Sequence, residues 1–153
     1  MHDLLGPKLS GMFYSSAMLE TFDAYKPMGS RRKESDFVAI GTSDMIANLL
    51  DCPRDSEQMS AYEPAIYPLL QQAAQQAGVR TKEIQLNGQL IRMPGVQPVL
   101  IGLGFRIFSV DPSLIPYLAE NIKQTDTKDA AQLAQQICQA ADSNAVKKLM
   151  AIK

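Results

Sequence analysis

The sequence has 153 residues, of which 46% are apolar, and this is enough for one domain with a hydrophobic core. Its net charge is −1 at pH 7, so a nucleic-acid partner, which requires clustered excess Lys and Arg, is not expected. No apolar run is long enough to cross a bilayer, and no leader-like segment opens the chain. Cys52 and Cys138 show neither zinc-site nor disulfide-framework spacing. We therefore expect a protein of the reducing cytoplasm, without membrane insertion.

Short β-rich runs alternate along the chain with amphipathic helical stretches, a pattern typical of βα units around a parallel sheet. The run at residues 37–40 is continuously apolar, as expected for a buried parallel strand. Strands are predicted at residues 16–20, 36–41, 83–86 and 105–110. Helices are predicted at residues 65–77, 98–103, 113–123, 130–141 and 143–151.

Polar residues near two of the helix starts indicate N-terminal caps. Ser113 is expected to cap the helix at residues 113–123, and either Thr127 or Asp129 the helix at residues 130–141. The first of these helices carries an apolar stripe of Leu114, Ile115, Leu118 and Ile122.

The whole chain, residues 1–153, is predicted to form a single domain. An irregular segment at residues 1–14 would precede four βα units at residues 15–153. A complete (β/α)₈ barrel typically needs about 250 residues, so this chain is too short for one. The expected fold class is α/β, with parallel strands flanked by helices. The four βα units would resemble half of a (β/α)₈ barrel. A small open α/β sheet is the alternative.

Several short motifs occur in a fixed order along the chain. Residues 37–44 read F-V-A-I-G-T-S-D, residues 18–21 read M-L-E-T, and Arg54 stands ten residues after the first of these motifs. Downstream, residues 102–105 read G-L-G-F and residues 108–110 read F-S-V. These motifs resemble the signatures F-x-x-I-G-T-N-D, M-I-E-T-P and G-M-G-x-x-x-F-S of the phosphoenolpyruvate–protein phosphotransferases. These are the Enzyme I proteins of the sugar phosphotransferase system.

The resemblance implies a phosphoenolpyruvate site with two metal-binding carboxylates. Glu20 and Asp44 would bind Mg²⁺, and the ion would bind the substrate, in line with the preference of Mg²⁺ for carboxylate, phosphate and water oxygens. Arg54 would bind the phosphate or carboxylate of the substrate. Ser43 stands where the family has an asparagine, and its hydroxyl would donate one hydrogen bond to the phosphate.

One position departs from the family pattern in a way that bears on catalysis. Asn87 stands where the family has a cysteine, which exchanges a proton with the methylene carbon of enolpyruvate. An amide does not ionise near neutral pH, so Asn87 cannot take this role. Gln89 likewise replaces a glutamate. We therefore assign no catalytic residue, and we expect the phosphohistidine domain and the first half of the barrel to come from elsewhere.

The expected partners follow from the incomplete barrel. Four βα units leave two open sheet edges and an exposed apolar face, so a homodimer or higher oligomer is expected, unless residues 1–14 cover these surfaces. We expect the chain to be a catalytically impaired Enzyme I-like domain that binds phosphoenolpyruvate or pyruvate. It would act as a regulatory or dimerising module, with Enzyme I or HPr-like proteins as possible partners. The alternatives are an active phosphotransferase component that needs partner chains, and a structural scaffold with a vestigial site.

Overall fold

The computed structural model describes residues 16–19, 37–53, 56 and 60–152, and these parts form an α/β fold. Its strands are β1 (Ser16–Leu19), β2 (Phe37–Gly41), β3 (Gln85–Asn87) and β4 (Ile107–Ser109). Its α-helices are α1 (Thr42–Leu50), α2 (Ile66–Ala77), α3 (Val96–Gly102), α4 (Ile115–Gln124), α5 (Thr127–Cys138) and α6 (Ser143–Leu149). Short 3₁₀ helices cover Gly78–Glu83, Gln89–Arg92 and Pro112–Leu114.

The described strands form one parallel sheet in the order β1-β2-β3-β4. Each strand lies beside the one before it in the chain, so that Ala39 is opposite Gln85 and Gln85 is opposite Ile107. Connections between parallel strands are right-handed in nearly all proteins. A sheet that always advances in one direction therefore carries its connecting helices on one face.

Burial distinguishes the two faces of the sheet. Ile40 and Leu86 share one face and have no exposed surface, because the helices pack on it. On the opposite face Gln85 is half-buried and Ile107 is 43% exposed, while Ala39, further from the β4 edge, is buried. The described helices thus cover one face, and the other is open over β3 and β4.

The hydrophobic core lies between the covered face of the sheet and the helices. Its largest fully buried side chains are Tyr67, Phe105, Ile40, Met45, Ile46, Ile66, Leu70, Ile84 and Leu86. Helices α3 and α5 approach closely at Gly102, where an added Cβ would lie 2.0 Å from the carbonyl oxygen of Ala130 and 2.9 Å from Cβ of Ala134. Both distances are far inside van der Waals contact, so only glycine fits at this crossing.

The predicted elements are present, with differences at their ends. The third and fourth strands are shorter than predicted, because only Gln85–Asn87 and Ile107–Ser109 find partners in the sheet. The sequence patterns do not predict α1, which follows β2 with no residue between them. No helix in the described part of the chain is long and apolar enough to span a bilayer.

Both predicted caps are wrong. Asp111 caps the 3₁₀ turn before α4, and its carboxylate accepts hydrogen bonds from the backbone N–H and the hydroxyl of Ser113. Asp126 caps α5, and accepts from the N–H groups of Lys128 and Asp129 at 2.7 and 3.2 Å. A capping side chain must precede the first helical turn. Because α5 begins three residues earlier than predicted, the cap moves with it.

The apolar stripe of α4 is buried only in part. Leu118 is buried, but Ile115 is 54% exposed and Ile122 is 42% exposed. Tyr117 on the same helix is 52% exposed. The helix therefore presents apolar surface to solvent.

Replacement of Gly102 by alanine is predicted to lower the free energy of unfolding by about 1–3 kcal/mol, because the new methyl group forces α3 and α5 apart. Urea unfolding followed by circular dichroism measures the change. The control is Gln132→Ala on the exposed side of α5, which should be nearly neutral. Equal stability of Gly102→Ala and the parent protein would contradict the close crossing.

Candidate functional site

Helix α1 begins directly at the carboxyl end of β2. Gly41 is the last residue of the strand and also precedes the first helical turn, and no side chain caps that turn. The first N–H groups of an α-helix lack partners within the helix, and they lie at the positive end of its dipole. The junction therefore places a favourable position for an anion at the carboxyl edge of the sheet.

The turn after β3 is fastened to this junction by two hydrogen bonds. The hydroxyl of Thr42 donates to the carbonyl oxygen of Asn87 at 2.6 Å. The backbone N–H of Gln89 donates to the hydroxyl oxygen of Ser43 at 2.9 Å. We call this arrangement the edge clamp: residues Thr42 and Ser43 of α1 with residues Asn87 and Gln89 of the turn.

Gly88, at the centre of the edge clamp, has φ of +105°. Side chains rarely adopt this backbone conformation. A Cβ at this position would also lie 2.6 Å from Oγ1 of Thr42 and 2.8 Å from Oγ of Ser43. The glycine therefore lets the turn approach the helix closely enough to form both hydrogen bonds.

Ser43, predicted to bind substrate, is 3% exposed in the first turn of α1. Its oxygen accepts the hydrogen bond from Gln89, so the side chain holds the turn in place. A hydroxyl that accepts one hydrogen bond can still donate its own proton. The structure thus gives Ser43 a structural role that the resemblance does not indicate.

Asp44, predicted to bind metal, lies in the same first turn and is half-buried. Its backbone carbonyl accepts a hydrogen bond from the side-chain amide of Asn48 at 2.8 Å. A carboxylate near a helix N-terminus is electrostatically favoured. Asp44 therefore lies next to Ser43 of the edge clamp, in the first turn of the helix.

Asn87 is half-buried at the end of β3, with Gly41 opposite it on β2 and Ser109 opposite it on β4. The structure thus brings together Ser43, Asp44 and Asn87 at one edge of the sheet. Glu20 and Arg54, the other predicted site residues, lie outside the described residues. No cluster of three or more His, Cys, Asp or Glu side chains occurs within the ranges that the structure describes.

Neither cysteine is placed to substitute for the one that Asn87 replaces. Cys52 follows the carboxyl end of α1, whose nine residues rise about 13 Å along the helix axis. Cys138 ends α5, where burial raises the pKa of its thiol to about 11. A thiol with this pKa is almost entirely protonated at neutral pH and is a poor acid–base group.

Sequence reasoning missed Thr42, Gly88 and the backbone N–H of Gln89 as parts of the site. Their roles depend on a contact between segments that are 45 and 46 residues apart in the chain. The available signals were a Thr-Ser pair at the end of a strand and a glycine after another strand. Neither signal identifies its partner without the sheet order.

Comparison with known protein families identifies the family of the chain. The sequence model of the family described as "PEP-utilising enzyme, PEP-binding domain" matches residues 8–127, most of the chain. The chain belongs to this family.

Curated relatives carry related names. Multiphosphoryl transfer protein 1 of Escherichia coli (strain K12) is 29% identical over 121 residues, which are 76% of this chain and 15% of the relative. The phosphoenolpyruvate-protein phosphotransferase of Staphylococcus carnosus (strain TM300) is 30% identical over 118 residues, which are 74% of this chain and 21% of the relative. That of Haloferax volcanii is 27% identical over 109 residues, 69% of this chain and 19% of the relative. The matched segment thus spans about a fifth or less of these relatives.

Replacement of Thr42 by valine is predicted to lower the free energy of unfolding by about 1–3 kcal/mol, because the carbonyl of Asn87 loses its hydrogen-bond donor. Urea unfolding measures the change. Thr42→Ser, which keeps the hydroxyl, should recover most of the loss, and Thr127→Val at an exposed position should have little effect. A Thr42→Val protein as stable as the parent would show that the edge clamp contributes nothing.

Proposed function

We propose that this chain binds phosphoenolpyruvate or pyruvate at the carboxyl edge of its sheet, as an Enzyme I-like domain that is impaired in proton transfer. The observation that carries the proposal is the edge clamp, which fixes the N-terminus of α1 and the turn after β3 at one place. Barrel enzymes build their active sites from the loops at the carboxyl ends of the strands. Membership of the PEP-utilising family supports the choice of ligand.

The donor set suits Mg²⁺. Glu20 follows β1 directly in sequence, and Asp44 lies in the first turn after β2. The strands β1 and β2 are parallel neighbours, and in the sequence each of the two acids comes shortly after one of them. Carboxylate oxygens with substrate phosphate and water form a favourable Mg²⁺ environment. We propose that these two residues hold the ion, which would offset the negative charge of the bound phosphate.

The chain's own groups would bind the anion beside the carboxylates. The N–H groups at the start of α1 and the hydroxyl of Ser43 are hydrogen-bond donors. Arg54 would add a planar, two-point contact to the phosphate or carboxylate of the ligand. The positive charge of Arg54 would also help to balance Glu20 and Asp44.

Asn87 limits the chemistry that a bound ligand can undergo. The family resemblance assigns proton exchange at the methylene carbon to a cysteine at this position, and an amide cannot supply that proton. Gln89, which is exposed, is also neutral. We therefore propose a binding or regulatory role. The alternative is an active phosphotransferase component that obtains the missing groups from partner chains, and the presence of Glu20, Asp44 and Arg54 favours that alternative.

We further propose that the chain is half of a (β/α)₈ barrel. The sequential strand order and the coverage of one sheet face by helices support this, because a doubly wound sheet has helices on both faces. A second copy, or an Enzyme I-like chain in the cytoplasm, would cover the open face. An HPr-like protein would be the natural acceptor in the active alternative.

Calorimetric titration with phosphoenolpyruvate should show binding that requires Mg²⁺. Glu20→Gln and Asp44→Asn should each weaken it at least about tenfold, a loss of about 1.4 kcal/mol, because each removes a carboxylate ligand. Asp129→Asn, which makes the same change in the exposed first turn of α5, is the control and should bind normally. Binding that is indifferent to Mg²⁺ and to both carboxylates would contradict the proposed site.

Phosphotransfer distinguishes the binding module from the active alternative. The chain is mixed with a partner that supplies the phosphohistidine domain and the first half of the barrel, and transfer from phosphoenolpyruvate to HPr is measured. We expect little transfer by the parent chain, and an increase of about 10²-fold or more on Asn87→Cys, because a thiol restores an acid–base group. Asn87→Ser, which does not ionise in this range, is the control. Rapid transfer by the parent chain would contradict the proposed impairment.

Light scattering after gel filtration should give a dimer or higher oligomer at micromolar concentration, because the face over β3 and β4 is open. Ile107→Lys on that face should raise the dissociation constant at least about tenfold, since it places a charge in the interface. Ile122→Lys on α4, which is similarly exposed, is the matched control. A stable monomer of the parent protein would contradict the half-barrel proposal.

A further inference from the structure

The open face of the sheet carries two neighbouring polar side chains at its carboxyl edge. Asn87 ends β3 and Ser109 ends β4, and the two residues are opposite each other in the sheet. Adjacent strands lie about 4.8 Å apart, so two such side chains are close enough to bind the same small group. We call Asn87 and Ser109 the polar pair.

The alternation of side chains along each strand shows which face the polar pair occupies. Leu86, which precedes Asn87, has no exposed surface and belongs to the core beneath the helices. Phe108, which precedes Ser109, also packs against that core. Successive side chains of a strand point to opposite faces of the sheet. The polar pair therefore lies on the open face, where Asn87 is half-buried and Ser109 is exposed.

The hydrogen-bonding groups of the polar pair are uncharged. The backbone carbonyl of Asn87 accepts from Thr42, and within the ranges that the structure describes neither side chain of the pair forms a hydrogen bond. A carboxamide and a hydroxyl together offer both donors and acceptors. They match a hydroxyl group of a ligand, which also donates and accepts, whereas a methyl or methylene group would give them no partner.

The polar pair lies beside the anion position proposed at the start of α1. That helix follows Gly41, and Gly41 is the residue of β2 that is opposite Asn87. Asn87 is thus one strand spacing of about 4.8 Å from the strand that leads into α1. Gly41 has no side chain that would separate the two positions. A three-carbon ligand bound by its phosphate at the start of α1 can therefore reach Asn87.

We propose that the site prefers a 2-phospho acid with a hydroxyl group on its third carbon, and that the polar pair binds this hydroxyl. This inference rests on the proposed function, since it keeps the phosphate at the start of α1 and adds the group that distinguishes one ligand from another. Phosphoenolpyruvate has a methylene group as its third carbon and would leave the half-buried carboxamide of Asn87 without a partner. A site that hydrogen-bonds a ligand hydroxyl rejects the analogue that lacks it, because the polar groups of the site then lose their partner.

Calorimetric titration with 2-phosphoglycerate, 2-phospholactate and phosphoenolpyruvate, each with Mg²⁺, tests this preference. 2-Phospholactate of the same configuration differs from 2-phosphoglycerate only in lacking the hydroxyl group on the third carbon. We expect 2-phosphoglycerate to bind about fivefold more tightly than 2-phospholactate, which is the gain from one hydrogen bond. Phosphoenolpyruvate reports separately whether the proposed site binds at all.

Two variants locate the preference on the polar pair. Asn87→Leu roughly keeps the side-chain size and removes both polar atoms, so the preference for 2-phosphoglycerate over 2-phospholactate should fall to about twofold or less. Ser109→Ala, at an exposed position, should lower the preference at least about twofold. Neither variant should change the affinity for 2-phospholactate more than about twofold, because that ligand lacks the hydroxyl. Asn144→Ala, at an exposed position of α6, is the control and should keep the full preference.

The possible failures are distinguishable. Binding of phosphoenolpyruvate together with equal affinities for 2-phosphoglycerate and 2-phospholactate would overturn this inference and leave the proposed function intact. Absence of binding of all three ligands would overturn both. A full preference for 2-phosphoglycerate in Asn87→Leu or in Ser109→Ala would mean that the hydroxyl is bound elsewhere, and would also overturn the inference.

Discussion

Two hydrogen bonds between α1 and the turn after β3 hold the carboxyl edge of the sheet together. They join Thr42 to Asn87 and Gln89 to Ser43, across 45 and 46 residues of chain. Strand β3 is only three residues long, so its pairing alone would hold the turn weakly. With the edge clamp in place, the N-terminus of α1 and the end of β3 keep a fixed relation. The anion-binding position that we propose depends on this relation.

The same sheet leaves its other face open over β3 and β4. All described strands are parallel and follow chain order, and the helices bury Ile40 and Leu86 on one face. Ile107 on the other face and Ile122 on α4 remain exposed apolar residues. A ligand site at the carboxyl edge and an open face beside it are what a piece of a barrel wall would present. Association of the chain and ligand binding would therefore involve neighbouring parts of the same sheet.

The order of elements follows from the sequence, because periodic apolar runs determine helices and strands locally. The apolar run at residues 37–40 lies in β2, and the positions of α2 and α6 are within two residues of their predicted bounds. Helix α1 and the edge clamp could not be predicted in the same way. Helix α1 begins directly where β2 ends, and the edge clamp depends on a contact between segments that are distant in the chain.

The sequence predicts some features of the site residues, and others depend on tertiary geometry. The family motifs identify Ser43, Asp44 and Asn87, and the structure places all three at one edge of the sheet. The motifs do not indicate that the Ser43 oxygen accepts the N–H of Gln89, since that depends on tertiary geometry.

Mapping of amide chemical shifts on adding phosphoenolpyruvate with Mg²⁺ tests the central claim most directly, because it reports where the ligand binds. If the edge clamp forms the site, the largest shifts fall on the backbone amides of Thr42, Ser43 and Asp44 and of Asn87, Gly88 and Gln89. Amides on the outer sides of α5 and α6 stay unchanged. Shifts concentrated elsewhere in the protein, with the amides of the edge clamp unmoved, would contradict the account.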